Sequence, residues 1–310
     1  MITSDKYLQE TRKKKVSDEM IKKDLALSYI LYEMSEDIKK DKNSPFIKLI
    51  FKGGTLLSKS HLDYHRLSED LDFTFLENKM LNKLSKTQRL KKIKQYLKEE
   101  FLVRFELIVK KYSFDFDPGE MNKETKKYCP IKSPDNLAKF YVYLDKNDKT
   151  PIKIEINFLD ELFFKPEKIK LKYLNPSSQN LIYPLGETEL DSYCIEEILI
   201  EKIRAILTRK GSIHERDIFD LFLLQKIGHS ALKVDLEKIR NKIKQGIGFK
   251  QNKNEEMQKI KKVEEKFSQI EKEIEEEIKM MSLRDYDSEE YRKFFNKLKE
   301  FLTKLDISNL

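Results

Sequence analysis

The amino-acid sequence predicts an α+β fold, with a domain rich in strands followed by a helical domain. In the first half, several short segments alternate apolar and polar residues, which is the pattern of strands with one buried face. From about residue 187 the apolar residues recur at helical spacing almost to the end. With 310 residues, the chain is long enough for two domains. A turn-rich stretch ending at Gly186 places their boundary near residue 185, which gives domains 1–185 and 186–310.

The individual elements follow from the same two periodicities. Residues 19–40 carry Ile21, Leu25 and Tyr29 at helical spacing, which predicts an amphipathic helix. A second helix is expected over residues 86–100. Strands are expected, from their alternating or β-branched and aromatic residues, over residues 69–76, 103–116, 139–144 and 152–159.

The composition limits the classes of protein that fit. The formal net charge of +8 and the isoelectric point near 9.0 suit a polyanionic partner such as nucleic acid. Lysine and glutamate are also intermixed, as in residues 255–279, and such runs are typical of solvated helix faces, so both interpretations stay open. No apolar run approaches the ~18 residues of a spanning helix, and the first fifteen residues are polar, unlike a signal peptide. We expect a cytoplasmic protein without a membrane segment.

The segment Gly53-Gly54-Thr55 lies between two apolar stretches. Adjacent glycines allow backbone amides to approach a phosphate group closely, and a helix that begins there adds its partial positive charge. A plain tight turn is the alternative. The segment is therefore a candidate phosphate-binding turn.

Two aspartates follow in what we predict to be a strand. Because side chains alternate along a strand, Asp70, Asp72 and Thr74 share one face, and apolar residues occupy the other. Neighbouring carboxylates repel each other unless a cation lies between them, and Mg²⁺ prefers one or two carboxylates together with phosphate oxygens. The pattern predicts a platform for a metal and a nucleotide, with a solvated sheet face as the alternative.

A third carboxylate is expected on a later strand. In the segment KIEINF, Lys153, Glu155 and Asn157 face one way and the apolar residues face the other. If this strand neighbours the Asp70–Asp72 strand, Glu155 would complete a cluster of three acids that holds metal. Ordinary solvated strand polarity is the alternative for Glu155.

The helical half contains one lysine in an apolar stripe. In the segment CIEEILIEKIRAILTRK, Lys202 falls among Ile198, Leu199 and Ile206, so its ammonium group either reaches water along the stripe or meets an anion. The next helical segment is apolar around nearly its whole circumference and carries Asp217 and Asp220, which need partners when buried. A structural ion pair between Asp217 and a nearby cation is the alternative to a functional role.

Taken together in this order, these motifs resemble the AbiEii/AbiGii-type nucleotidyltransferase toxins, a group that includes abortive-infection toxins and the MenT tRNA-modifying toxins. The segments that carry the resemblance are KGGTLL, RLSEDLDF, KIEINF, EEILIEKIRAIL and RDIFDL, between about residues 52 and 224. The resemblance implies a DNA polymerase β-like minimal nucleotidyltransferase domain with a mixed sheet, followed by a helical domain that completes the active site.

The resemblance also implies roles for single residues. Gly53, Gly54, Thr55 and Ser68 would bind the nucleotide, Asp70 and Asp72 would hold Mg²⁺, and Lys202 and Asp217 would take part in catalysis. Lys202 would also contact the nucleotide, with Glu155 as a further metal ligand. The implied reaction transfers a nucleotide from a nucleoside triphosphate (NTP) to an RNA such as the tRNA 3′ end, in a toxin–antitoxin or phage-defence system with a cognate antitoxin. The alternatives are a catalytically silent RNA-binding or antitoxin-binding protein, and a transferase that modifies a small molecule or a protein.

Overall fold

A computed structural model confirms the α+β class and the mixed sheet. It describes residues 17–118, 131–132, 137–145, 151–174, 183–209, 213–248, 267, 282–283 and 285–304. The strands are β1 (Leu49–Lys52), β2 (Asp70–Phe75), β3 (Asp115–Asp117), β4 (Ile131–Lys132), β5 (Leu137–Tyr143), β6 (Ile152–Asn157), β7 (Glu167–Leu171) and β8 (Thr188–Ser192). The helices are α1 (Asp18–Lys40), α2 (Gly53–Lys59), α3 (Asn78–Asn82), α4 (Lys86–Gln95), α5 (Leu102–Lys111), α6 (Ile195–Thr208), α7 (Glu215–Lys226), α8 (Leu236–Gly248) and α9 (Ser288–Thr303). Within this described part of the chain, no helix is both long and apolar enough to cross a membrane.

The sheet places the two acidic strands side by side. Its order is β3-β5-β6-β2-β1-β8-β7, and β4 pairs with β5. Strand β2 lies antiparallel to β1 and parallel to β6, so both parallel and antiparallel pairs occur in one sheet. The alternation that predicted β5 and β6 is present as regular buried and partly exposed positions.

Helix α1 begins and ends close to the predicted bounds. The hydroxyl of Ser17 accepts a hydrogen bond from the Met20 amide, which satisfies one of the free donors at the helix start. Asp18 and Glu19 lie in the first turn, and Lys39 and Lys40 in the last, which complements the helix dipole. The apolar positions used for the prediction are all buried.

The predicted strand over residues 103–116 is wrong for most of its length. Helix α4 passes through a π-helical turn, Tyr96–Phe101, into α5, and only β3 is extended. Phe101, Phe105 and Val109 are buried at a spacing of four residues, whereas Val103 and Leu107 are exposed. The β-branched and aromatic residues suggested a strand, but the burial of the side chains follows the helical period.

Strands β1, β4, β7 and β8 were not predicted. Strand β7 lies within the segment predicted as turns, and β8 lies where the helical half was expected to begin. Each is five residues long. Such short strands carry little periodic signal by themselves, and β8 gains its place by pairing with β1 and β7.

The chain divides into two compact units. The first comprises residues 1–161 and 166–192 and holds the whole sheet, and the second comprises residues 162–165 and 193–310. In the second unit, Glu197 accepts hydrogen bonds from the amides of Phe163 and Phe164 and pairs with the buried Lys242 at 2.7 Å. Division into independently folding domains near residue 185 stays a prediction.

Because residues 102–111 form a helix, truncation of Phe105 and of Leu107 should change the free energy of unfolding by different amounts. In a strand, these two side chains would lie on the same face. Phe105 is 1% exposed and packs on Phe101, whereas Leu107 is 63% exposed. We expect Phe105→Ala to lower the free energy of unfolding by about 3 to 5 kcal/mol and Leu107→Ala to change it by less than about 0.5 kcal/mol. Denaturant titration measures both, and comparable losses at the two positions would support a strand instead.

Candidate active site

The glycine turn is in direct contact with the acidic strand. Gly53 follows β1 and has a φ of +87°, in the left-handed region that favours glycine. A Cβ atom at this position would overlap the Oδ2 atom of Asp72 and lie 3.1 Å from its Cβ. Both the backbone conformation and the approach to the carboxylate therefore require glycine.

The next two residues also contact the segment that leads into β2. A Cβ at Gly54 would lie 2.6 Å from Nη2 of Arg66 and 3.0 Å from Oγ of Ser68. The buried Thr55 hydroxyl donates a hydrogen bond to the backbone carbonyl of Asp70. All three residues of the turn thus contact the predicted acidic motif or the segment that leads into it. The Thr55 side chain makes its contact through this hydrogen bond.

The parallel pairing of β2 and β6 brings the three predicted acids to one region. Asp72 lies opposite Glu155, and Asp70 lies opposite Lys153. The ammonium of Lys153 is 3.1 Å from Asp70 Oδ2 and 3.7 Å from Glu155 Oε1. Lys139, on β5, is 2.6 Å from the same Glu155 oxygen. Two lysines are therefore interleaved with the carboxylates on this face.

The environment raises the pKa of the Asp72 carboxyl from 3.8 to about 6. Burial is the largest cause, and the negative charges of Glu155 and Asp70 add to it, while Lys52 and Lys153 act in the opposite direction. For Lys153, burial acts to lower the pKa, but Glu155 and Asp70 outweigh it and raise the pKa above its ordinary value. Asp72 is consequently a carboxylate whose negative charge is poorly compensated.

The donor set suits Mg²⁺ bound together with a nucleotide. Asp70 and Asp72 offer oxygen ligands from one strand, and a divalent cation would relieve the unfavourable charge on Asp72. Among the described residues, no group of three or more His, Cys, Asp or Glu side chains is placed to hold a metal ion. Two carboxylates suffice when phosphate oxygens and water complete the coordination. Glu155 as a further ligand stays a prediction.

In the helical unit, the structure places Lys202 against two buried carboxylates. Its Nζ atom is 2.8 Å from Oδ1 of Asp217 and 2.6 Å from Oδ2 of Asp220. Arg209 Nη2 lies 3.0 Å from the other oxygen of Asp217. Burial acts to raise the pKa of Asp217, but Lys202 and Arg209 outweigh it and hold that pKa below its ordinary value. Lys202 therefore meets an anion, and Asp217 has the structural ion pairs that were its alternative.

Three neighbours of the predicted residues were not assigned from the sequence. Arg66 is 3% exposed beside Gly54, Lys153 lies between two acids, and Asp220 is completely buried against Lys202. For Asp220 the sequence predicted burial and the need for a partner, because the segment is apolar nearly all around, but it did not predict the pairing with Lys202. The position of Arg66 depends on the path of the loop before β2, which no periodic pattern specifies.

Comparison with known proteins gives one family. The family model described as "Nucleotidyl transferase AbiEii toxin, Type IV TA system" matches residues 40–308. Among solved structures, the chain is similar to MenT4, a nucleotidyltransferase toxin from Mycobacterium tuberculosis H37Rv, with 15% identity and a TM-score of 0.45. That alignment covers 92% of this chain and 84% of MenT4. No curated protein matches the chain.

The raised pKa of Asp72 predicts that the isosteric neutral substitution Asp72→Asn raises the free energy of unfolding, by an amount that depends on pH. Since the folded protein favours the protonated carboxyl, the wild type loses stability as the pH rises from about 3.8 through about 6. We expect Asp72→Asn to raise the free energy of unfolding at pH 7.5 in EDTA, and the gain to vanish below about pH 4. Denaturant titration at several pH values tests this, and a loss of stability at pH 7.5 would contradict it.

The pairing of Lys202 predicts that truncating it destabilises the helical unit. Lys202→Ala leaves the carboxylates of Asp217 and Asp220 without their shared ammonium, and such a loss from a buried pair typically costs about 3 to 5 kcal/mol. Lys202→Arg retains the charge and should cost much less. A double variant, Lys202→Met with Asp220→Asn, removes one charge of each sign and should recover part of the loss. Equal stability of wild type and Lys202→Ala would exclude this ion network as a structural element.

Proposed function

The chain belongs to the family of AbiEii nucleotidyltransferase toxins of type IV toxin–antitoxin systems, and from this premise we propose that it transfers a nucleotide from an NTP to RNA at the Asp70–Asp72 strand. The match covers residues 40–308, which include every residue predicted for the site.

The observation that carries the proposal is the contact of the glycine turn with Asp72. A backbone turn and a carboxylate from a different strand meet there without an intervening side chain. A triphosphate needs both a surface of backbone amides and a cation held beside it. The geometry therefore supports binding of an NTP by residues 53–55 and Ser68, with the acids immediately adjacent.

The acids and the side chains around them would have different roles in substrate binding. The Asp70 side chain is 33% exposed and accessible to a ligand, whereas the Asp72 side chain lies in close contact with Gly53. Lys153 and Lys139 hold the neighbouring carboxylates in fixed positions through their ion pairs. A bound Mg²⁺ would supply charge stabilisation for the transferring phosphoryl group. Asp70 and Asp72 are the residues that would hold it, with Glu155 beside them.

Lys202 and Asp217 remain proposed contributors to transfer, as the family resemblance implies. The two side chains form an ion pair at 2.8 Å, so a substitution of either one also changes the surroundings of the other. A catalytic role is best separated from the structural one by Lys202→Arg, which keeps the charge. Loss of transfer in a folded Lys202→Arg protein would support a specific role for the ammonium group.

An RNA acceptor, such as the tRNA 3′ end, agrees with the positive net charge and with the toxin family. In a cell the toxin would be counteracted by its cognate antitoxin, and phage defence is the setting that the family resemblance implies. A small-molecule or protein acceptor would use the same phosphate chemistry. Identification of the labelled product therefore distinguishes between these acceptors.

We predict that neutralising either aspartate abolishes transfer without unfolding the protein. Because the cation that these carboxylates hold stabilises developing charge by several kcal/mol, and each ~1.4 kcal/mol is a factor of ten in rate, Asp70→Asn and Asp72→Asn should each slow transfer by at least about 100-fold. The assay incubates purified protein with each labelled NTP, Mg²⁺ and total RNA. As a matched control, Asp115→Asn changes an exposed aspartate on β3, separated from β2 by β5 and β6.

Growth of expressing cells provides the second readout. Wild-type protein should arrest growth and label RNA ends, and both aspartate variants should be harmless while folding normally. Toxicity that survives both substitutions would contradict the enzymatic proposal and favour a silent RNA-binding or antitoxin-binding protein. Label that appears on protein or on a small molecule, and never on RNA, would reassign the acceptor. Equal NTP affinity in Mg²⁺ and in EDTA would contradict the metal platform.

A further inference from the structure

A strongly basic surface follows the acidic strand directly in the chain. Residues 78–98 contain eight cationic side chains and no acidic one, and they form α3, α4 and the start of the π-helical turn. The seven lysines are all exposed, and Arg89 is half-buried. We call this set the basic surface, and its members are Lys79, Lys83, Lys86, Arg89, Lys91, Lys92, Lys94 and Lys98.

The cations of the basic surface are not neutralised within the described part of the chain. None of the eight forms an ion pair there, whereas Lys39 pairs with Glu36 on α1 and Lys293 with Glu289 on α9. The Nε atom of Arg89 is buried and has no hydrogen-bond partner among those residues. The interleaved lysine and glutamate of an ordinary solvated helix face are therefore absent from this surface.

In the isolated protein, the lysines of α4 and of the π-helical turn after it repel one another. Lys91 and Lys94 are three residues apart, and Lys94 and Lys98 four apart, so these pairs of like charge are neighbours on the helix surface. The helix compensates locally, since Ser85 and Gln88 form a capping box at its start. A bound polyanion would remove the repulsion and release its own counterions.

Aromatic packing fixes the basic surface to the acidic strands. Tyr96 is buried at the end of α4, with its ring 4.8 Å from that of Phe75 and 6.1 Å from that of Phe158, centroid to centroid. Phe75 lies on β2 three residues after Asp72, a distance of roughly 10 Å along the strand. Phe158 directly follows β6. The basic surface is thus packed against the strands that carry Asp70, Asp72 and Glu155, through the apolar face opposite these acids.

We propose that the basic surface binds the phosphate backbone of the RNA acceptor. This inference rests on the proposed function for its substrate class and adds the place where that substrate is held. A row of cations along a helix of ten residues, about 15 Å long, matches successive backbone phosphates. The central apolar residue of α4, Ile93, is buried against the protein, so α4 itself would present charge to an anionic membrane without an apolar face to insert. Met80 on α3 is exposed, so binding to vesicles is measured as a competing outcome.

The test replaces three lysines of the basic surface in the full-length protein. Fluorescence anisotropy measures binding of labelled total tRNA, without NTP, to Lys91→Gln/Lys94→Gln/Lys98→Gln. The matched control, Lys22→Gln/Lys39→Gln/Lys40→Gln, removes three exposed lysines from α1 in the same compact unit. We expect roughly tenfold weaker binding for the first variant and a salt slope of log K lowered by about 2 to 3. The control should stay within about twofold of the wild type.

The outcomes separate this inference from the proposed function. Unchanged RNA affinity in the first variant, or an equal loss in the control, would overturn the basic surface as the RNA site. If the protein still transfers a nucleotide to RNA when either of these results is obtained, the proposed function stays intact. Calorimetric binding of NTP should be unaffected by the three lysine substitutions, and a loss there would also overturn the assignment. Preferential loss of binding to phosphatidylserine vesicles over tRNA would assign the surface to a membrane instead.

Discussion

The close approach of the glycine turn to β2 is the constraint on which the candidate site depends. Gly53 and Asp72 are distant in sequence, and they meet because β1 and β2 are antiparallel neighbours with Lys52 opposite Asp72. A side chain on Gly53 would occupy the position of the Asp72 carboxylate. The hydroxyl of Thr55 then ties the turn to the backbone at Asp70. Backbone amides and carboxylates are thereby held in one fixed relation, as a triphosphate with its cation requires.

Charge balance explains how these acids coexist in one region of the sheet. Lys153 lies between Asp70 and Glu155, and Lys139 pairs with Glu155, so two ammonium groups offset much of the repulsion. Asp72 is compensated least, and its pKa is raised by burial and by the neighbouring acids. A divalent cation would therefore gain most at Asp72 and would compete with Lys153 at Asp70. The proposed site therefore contains a destabilised carboxylate, which binding of a cation would stabilise.

The two faces of β2 have different tasks because its side chains alternate. Asp70 and Asp72 share the partly exposed face, while Phe73 lies on the buried face, and Phe75 continues that face to the ring of Tyr96. The acids and the basic surface are consequently joined through the same two strands, because Tyr96 contacts both Phe75 and Phe158. In the helical unit, Lys202 has a structural role, because its ammonium is shared by the buried carboxylates of Asp217 and Asp220, and Arg209 adds a second positive charge at Asp217.

The sequence by itself determined the α+β class, helix α1, the faces of β2 and β6, and the residues that the family motifs share. These features follow from periods of two and 3.6 residues and from short motifs, and both depend only on residues that are close together in the sequence. Only the tertiary structure decided that β6 lies beside β2, that α5 is a helix and that β7 and β8 join the sheet. It also placed Lys153 between the acids and Asp220 beside Lys202. Strand order, register and ion pairing depend on contacts between distant segments, and the free energy of those contacts overrides local propensity.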